Sequence, residues 1–141
     1  MLDPSNIPEI TPQETLTRYV ISRSHFRKKS QTVKSDAFIP HPHTELSVTR
    51  LLKLSEEDIW SIGKEVALAR NPPKTFYGRG DIQTVDVLKE NLLVNAAPLP
   101  GNSNHADITN WPMDDKPKQK LIALKLASSA CFVPYSSEHE S

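Results

Sequence analysis

At 141 residues the chain has the length of one ordinary domain, long enough to bury a core without staples. Its 17 basic and 17 acidic residues cancel, so overall charge draws in neither nucleic acid nor an anionic membrane, and any such binding needs a local patch. The lone Cys131 excludes an intramolecular disulfide and a cysteine zinc cluster. No segment approaches the roughly 20 apolar residues of a membrane span, and the N-terminus lacks a basic-then-apolar leader, so a cytoplasmic protein with no membrane partner is expected.

Residues 1–14 carry Pro4, Pro8 and Pro12 among Asp3, Glu9 and Glu14, which predicts an extended arm. Leu16 to Ser22 is rich in Tyr, Val and Ile and reads as a strand. Six cations, Arg18, Arg23, Arg27, Lys28, Lys29 and Lys34, follow with no acid between them. His41-Pro42-His43 reads as a loop in which proline keeps the two rings from converging on a metal. Over Glu45 to Leu52 strict alternation puts Leu46, Val48, Arg50 and Leu52 on one face and Ser47, Thr49 and Leu51 on the other.

Ser55 caps a helix whose first turn is acidic and whose stripe is Ile59, Ile62 and Val66, with Pro72-Pro73 as its stop. Tyr77-Gly78-Arg79-Gly80-Asp81 predicts a tight turn, with Asp81 capping a second helix that carries Val85, Leu88 and Leu92. Leu92 to Asn95 predicts a short strand, Leu99 to Ser103 a turn, and His105 to Trp111 another strand. A third helix runs from Pro117 to about Ala130. Residues 15–133 should then form a single α+β domain, a small mixed or antiparallel sheet with two or three helices packed on one face. Residues 134–141 are expected to be a flexible tail.

Four groups of polar residues call for chemistry. In Asn104-His105-Ala106-Asp107-Ile108-Thr109-Asn110-Trp111-Pro112, strand geometry sets His105 and Asp107 about 7 Å apart on one face, bordered by Trp111. The pair can orient an acid–base imidazole or bind a polar ligand, or it can be the ordinary polar side of an exposed sheet. A metal is the weakest reading, because the third ligand would have to be His25, His41 or His43 at a spacing that fits no known site. Arg50 sits in the best apolar row, so it must reach solvent, pair with a carboxylate such as Asp81 or Asp107, or hold an anionic ligand.

The stretch Ser22 to Lys29 offers Arg23, His25, Lys28 and Lys29 for phosphate contact and Phe26 for stacking; a solvated hairpin loop explains it equally. Arg79, beside the expected helix start, could meet an anion there. Cys131 reads as buried filler. There is no Gly-x-Ser-x-Gly elbow, HExxH or phosphate loop, and no cofactor or metal is called for.

These features favour a small binding or accessory protein that gathers Arg23, Lys28, Lys29, Arg50 and Arg79 against the phosphate of a nucleic acid, a nucleotide or a partner. An enzyme acting on a phosphate-bearing substrate is the alternative, with His25 and His105 as acid–base pair and Asp107 orienting an imidazole. A purely protein-binding role, docked through the acidic arm, is the third.

Overall fold

The computed structural model describes residues 1–40 and 44–136; His41-Pro42-His43 and the end of the expected tail lie outside the described residues. One six-stranded antiparallel sheet organises them. Its strands are β1 (Thr15–Val20), β4 (Leu46–Arg50), β5 (Gly78–Gln83), β6 (Leu93–Ala96), β7 (His105–Thr109) and β8 (Cys131–Pro134), in the order β6-β7-β4-β1-β5-β8. A two-stranded hairpin, β2 (Phe26–Arg27) with β3 (Thr32–Val33), forms a separate small sheet whose Phe26 and Val33 pack against the core. The helices are α1 (Glu56–Leu68), α2 (Thr84–Leu88) and α3 (Lys116–Ser129). The architecture is α+β, and among the described residues no helix is long and apolar enough to cross a membrane.

Alternation decides which face is dry. Leu16 and Val20 of β1, Leu46 and Val48 of β4, Ile82 of β5 and Ala106 and Ile108 of β7 share one core cluster. Val87 of α2 and Ile122, Ala123, Leu126 and Ala127 of α3 close that face. Small Ala123 and Ala127 let α3 lie close, while Leu121 and Leu124 point to solvent. The opposite face is covered only in part. There α1 packs Ile59 and Ile62 against Tyr19, whose hydroxyl donates to the Ile59 carbonyl at 2.6 Å. The start of α1 is fixed by Ser55 and Asp58 in a reciprocal capping box.

Gly63 lets α1 approach this closely. A Cβ there would fall 2.5 Å from Phe76 Cζ and 2.6 Å from Tyr19 Cδ1. Overpacking of that kind costs about 1–3 kcal/mol, offset by about 1 kcal/mol of better helix propensity. Tyr19 is pinned by its hydrogen bond, so Gly63→Ala should destabilise by about 1 kcal/mol net in urea unfolding. A rise in the midpoint would show that both rings yield freely.

Four expectations are corrected. Asp81 caps no helix: it lies inside β5, opposite Thr17 and Cys131, and α2 is a five-residue helix that starts later, at Thr84. Gly78 and Gly80 are there for close approach, since a Cβ on Gly78 would meet the Val133 carbonyl at 2.5 Å and one on Gly80 would meet Val33 at 3.1 Å. Trp111 does not border His105 and Asp107. Asn110 takes a φ of 70°, which turns the chain after Thr109 and sends Trp111 into the core, its indole donating to the Ile108 carbonyl at 3.0 Å. Cys131 is exposed on edge strand β8 rather than buried.

Candidate functional site

The two central strands part company. β1 pairs with β4 only at Leu16–Arg50 and Thr17–Thr49, whereas its pairing with β5 continues to Val20–Gly78. Beyond Thr17 the backbone groups of β4 that face β1 lack a ladder partner, and Arg18 fills the gap. Its Nε donates to the Ala37 carbonyl and its Nη1 to the Ser47 carbonyl, both at 2.9 Å. A cleft of about 720 Å³ opens at this split. It is lined by both strands, by the short 310 turns Arg23–His25 and Ser35–Phe38, and by the chain after α1.

Charge in the cleft is mostly positive. Arg18, Arg70 and Lys74 line it with His25, opposed by Asp36 and Glu45. Among the described residues no carboxylate lies within 4.0 Å of the Arg18, Arg70 or Lys74 nitrogens, and Arg18 Nη2 has no partner. Burial, aided by the neighbouring Arg70 charge, lowers the Arg18 pKa to about 10, so the guanidinium stays charged at neutral pH. A half-buried cation held by carbonyls alone needs a counter-charge.

Both histidines expected from the sequence line this cleft. His25 keeps its Nδ1 buried and without a hydrogen-bond partner. Burial pushes its pKa down, and the Arg18 and Lys74 charges push it further, against a weaker upward pull from Asp36. His105 Nδ1 lies 2.8 Å from the Ala97 carbonyl, which can only accept, so the neutral ring leaves Nε2 bare. That Nε2 stands 3.8 Å from Asp107 Oδ1. Asp107 is next to the cleft without lining it.

The cations expected to bind an anion are dispersed. Arg50 points into the core face, fully buried, and its partner is Glu14 rather than Asp81 or Asp107. Arg79 is sandwiched over Trp60 on the α1 side, with Glu56 and Asp81 as ion-pair partners. Lys28 and Lys29 are exposed at the tip of the β2–β3 hairpin, and Arg23 reaches the Tyr77 hydroxyl at 3.3 Å. Phe26 is stacked on Phe132 with centroids 5.1 Å apart and presents no free ring for a base. Among the described residues no group of three or more His, Cys, Asp or Glu could hold a metal ion.

The sequence reading missed Arg18, although its signal is visible. Arg18 lies in the Leu16–Val20 row of β1 just as Arg50 lies in the Leu46–Val48 row of β4, and each interrupts an apolar face. Arg70 and Lys74 carry no such mark; they reach the cleft because the chain after α1 returns along β1, where Tyr77 N bonds the Val20 carbonyl. No protein-family model, curated protein or solved structure matches the chain.

Proposed function

We propose that the protein is a small cytoplasmic binding protein whose β1–β4 cleft receives the phosphate or a similar oxyanion of a nucleotide-sized ligand. The observation that carries this reading is Arg18, charged and lodged between two strands, with one terminal nitrogen free and no carboxylate within ion-pair distance among the described residues. Arg70 and Lys74 add charge at the rim, and the cleft volume falls in the range of small-molecule sites, roughly 300–1,000 Å³. The exposed Arg23, Lys28 and Lys29 suit attraction at a distance rather than a fixed contact. Cytoplasmic location is supported by the free, exposed Cys131 thiol, which a reducing compartment preserves.

Sulfate tests the reading, because its charge is constant across neutral pH. Amide shifts should map its binding to the cleft, and affinity should fall severalfold between low salt and about 0.3 M salt. The sign of the pH effect follows from His25. An anion beside it favours the protonated ring, so binding takes up a proton and should tighten severalfold from about pH 8 to about pH 6. His25→Asn should reduce that pH dependence and His25→Asn/His105→Asn abolish it. Binding that ignores both salt and pH, or shifts confined to the hairpin tip, would refute the proposal.

An enzyme acting on a phosphate-bearing substrate is the second reading, favoured by the two histidines lining one cleft. His105, oriented by the Ala97 carbonyl, would accept a proton at Nε2 and His25 would donate one. Arg50 has no part in it. The arm of residues 1–14 offers little to a docking role, since Leu2 is buried and Glu14 is engaged by Arg50.

A further inference from the structure

We infer that the cleft is built for a phosphorylated polyol or sugar, in which hydroxyl groups rather than a nucleobase accompany the anion. The inference rests on the anion-binding reading and adds the chemistry of the rest of the ligand. Recognition of a base by stacking needs an accessible aromatic face. Among the described residues Tyr19 is the one Phe, Tyr or Trp lining the cleft, and it has no face to spare: its hydroxyl is committed to Ile59 and its ring stands at 73° to Phe76, 5.7 Å between centroids. Phe26, Trp60, Tyr77, Phe132 and Tyr135 are packed against other rings outside the cleft.

Away from the cations the lining is aliphatic, from Ile21, Ile39, Leu46, Val48 and Val66, interspersed with hydroxyl, amide and imidazole groups. Thr17, Ser47, Thr49, Asn102 and His105 stand there. Thr17 and Thr49 are already occupied, Thr17 donating to the Gly80 carbonyl and Thr49 accepting from Asn102 Nδ2. Two groups have no hydrogen-bond partner among the described residues. The exposed Ser47 hydroxyl both donates and accepts, and His105 Nε2, which has only Asp107 Oδ1 at 3.8 Å beside it, accepts when the ring is neutral. A ligand hydroxyl also donates and accepts, so it can meet either group; a base has donors and acceptors too, and what the cleft denies it is the aromatic face to stack on. Ser47 belongs to the strand whose carbonyl holds Arg18, so phosphate and hydroxyl subsites share one short backbone segment.

Calorimetric titration at fixed pH and low salt with inorganic phosphate, ribose 5-phosphate and adenosine 5′-monophosphate separates the ideas. Ribose 5-phosphate should bind about tenfold more tightly than phosphate, reflecting two added hydrogen bonds, and the adenine should add nothing. The double variant Ser47→Ala/His105→Ala should shrink the gap between sugar phosphate and phosphate to under about threefold. The inference is overturned if ribose 5-phosphate binds no better than phosphate, or if the adenine compound binds about tenfold more tightly than the sugar phosphate. Failure of all three to bind would remove the anion site itself and the inference with it.

Discussion

Replacing Arg50 with methionine should destabilise the fold by about 3–5 kcal/mol, a large share of the 5–15 kcal/mol typical of a domain. The side chain is fully buried and makes four hydrogen bonds. Nε and Nη2 grip both oxygens of Glu14 at 2.7 and 3.1 Å, Nη1 takes the Pro8 carbonyl at 2.8 Å, and Nη2 the Glu9 carbonyl at 3.2 Å. Methionine fills much of the volume but donates nothing. It leaves a carboxylate only 6% exposed and two carbonyls without their donors. The penalty is that of an orphaned buried charge, so Arg50→Met/Glu14→Leu should recover most of the loss. Thermal unfolding checks this: a fall of roughly 10 °C or more in Tm for the single variant, mostly restored in the double. A single variant within about 1 kcal/mol of the parent would show that the pair does not clamp residues 8–14 to the sheet.

How much of this was legible depends on the range of the contact. The alternation of Leu46, Val48 and Arg50, the Ser55 cap and the Pro117 helix start are local, and each element formed where its own residues direct. The Arg50–Glu14 pair spans 36 positions, and nothing near either residue marks the other. Gly78 and Gly80 were ambiguous for a related reason. Glycine serves a turn or a close approach equally well, and here the approaching atoms come from Val133 and Val33, each more than 40 residues away. The position of Trp111 turned on one residue, Asn110, whose side chain tolerates the left-handed backbone. The site was half readable. His25 and His105 were identifiable by type, but their lining one cleft requires β1 to sit between β4 and β5 and then diverge from β4, which is a property of sheet order and not of any segment.

That divergence gives Arg18 its importance, and Arg18→Met should weaken sulfate or phosphate binding by roughly 10- to 150-fold, the equivalent of about 1.5–3 kcal/mol for a hydrogen bond to a charged group. Exposed Arg70 and Lys74 are screened by solvent, so removing either should change affinity only about two- to threefold. The ranking, one half-buried guanidinium outweighing two surface cations, separates a built anion site from diffuse positive charge. Arg18→Lys sharpens the test. It preserves the charge, but one ammonium group cannot replace the planar fork that reaches the Ala37 and Ser47 carbonyls and still leaves a nitrogen for the ligand. Its affinity should therefore resemble that of the methionine variant more than that of the parent. Stability will also drop, by about 1–3 kcal/mol, because two strand and turn carbonyls lose their donor. Binding must accordingly be compared at a temperature where circular dichroism shows both variants folded. Equal, small losses for Arg18, Arg70 and Lys74 under those conditions would mean that the split between β1 and β4 is a packing feature with no ligand to hold.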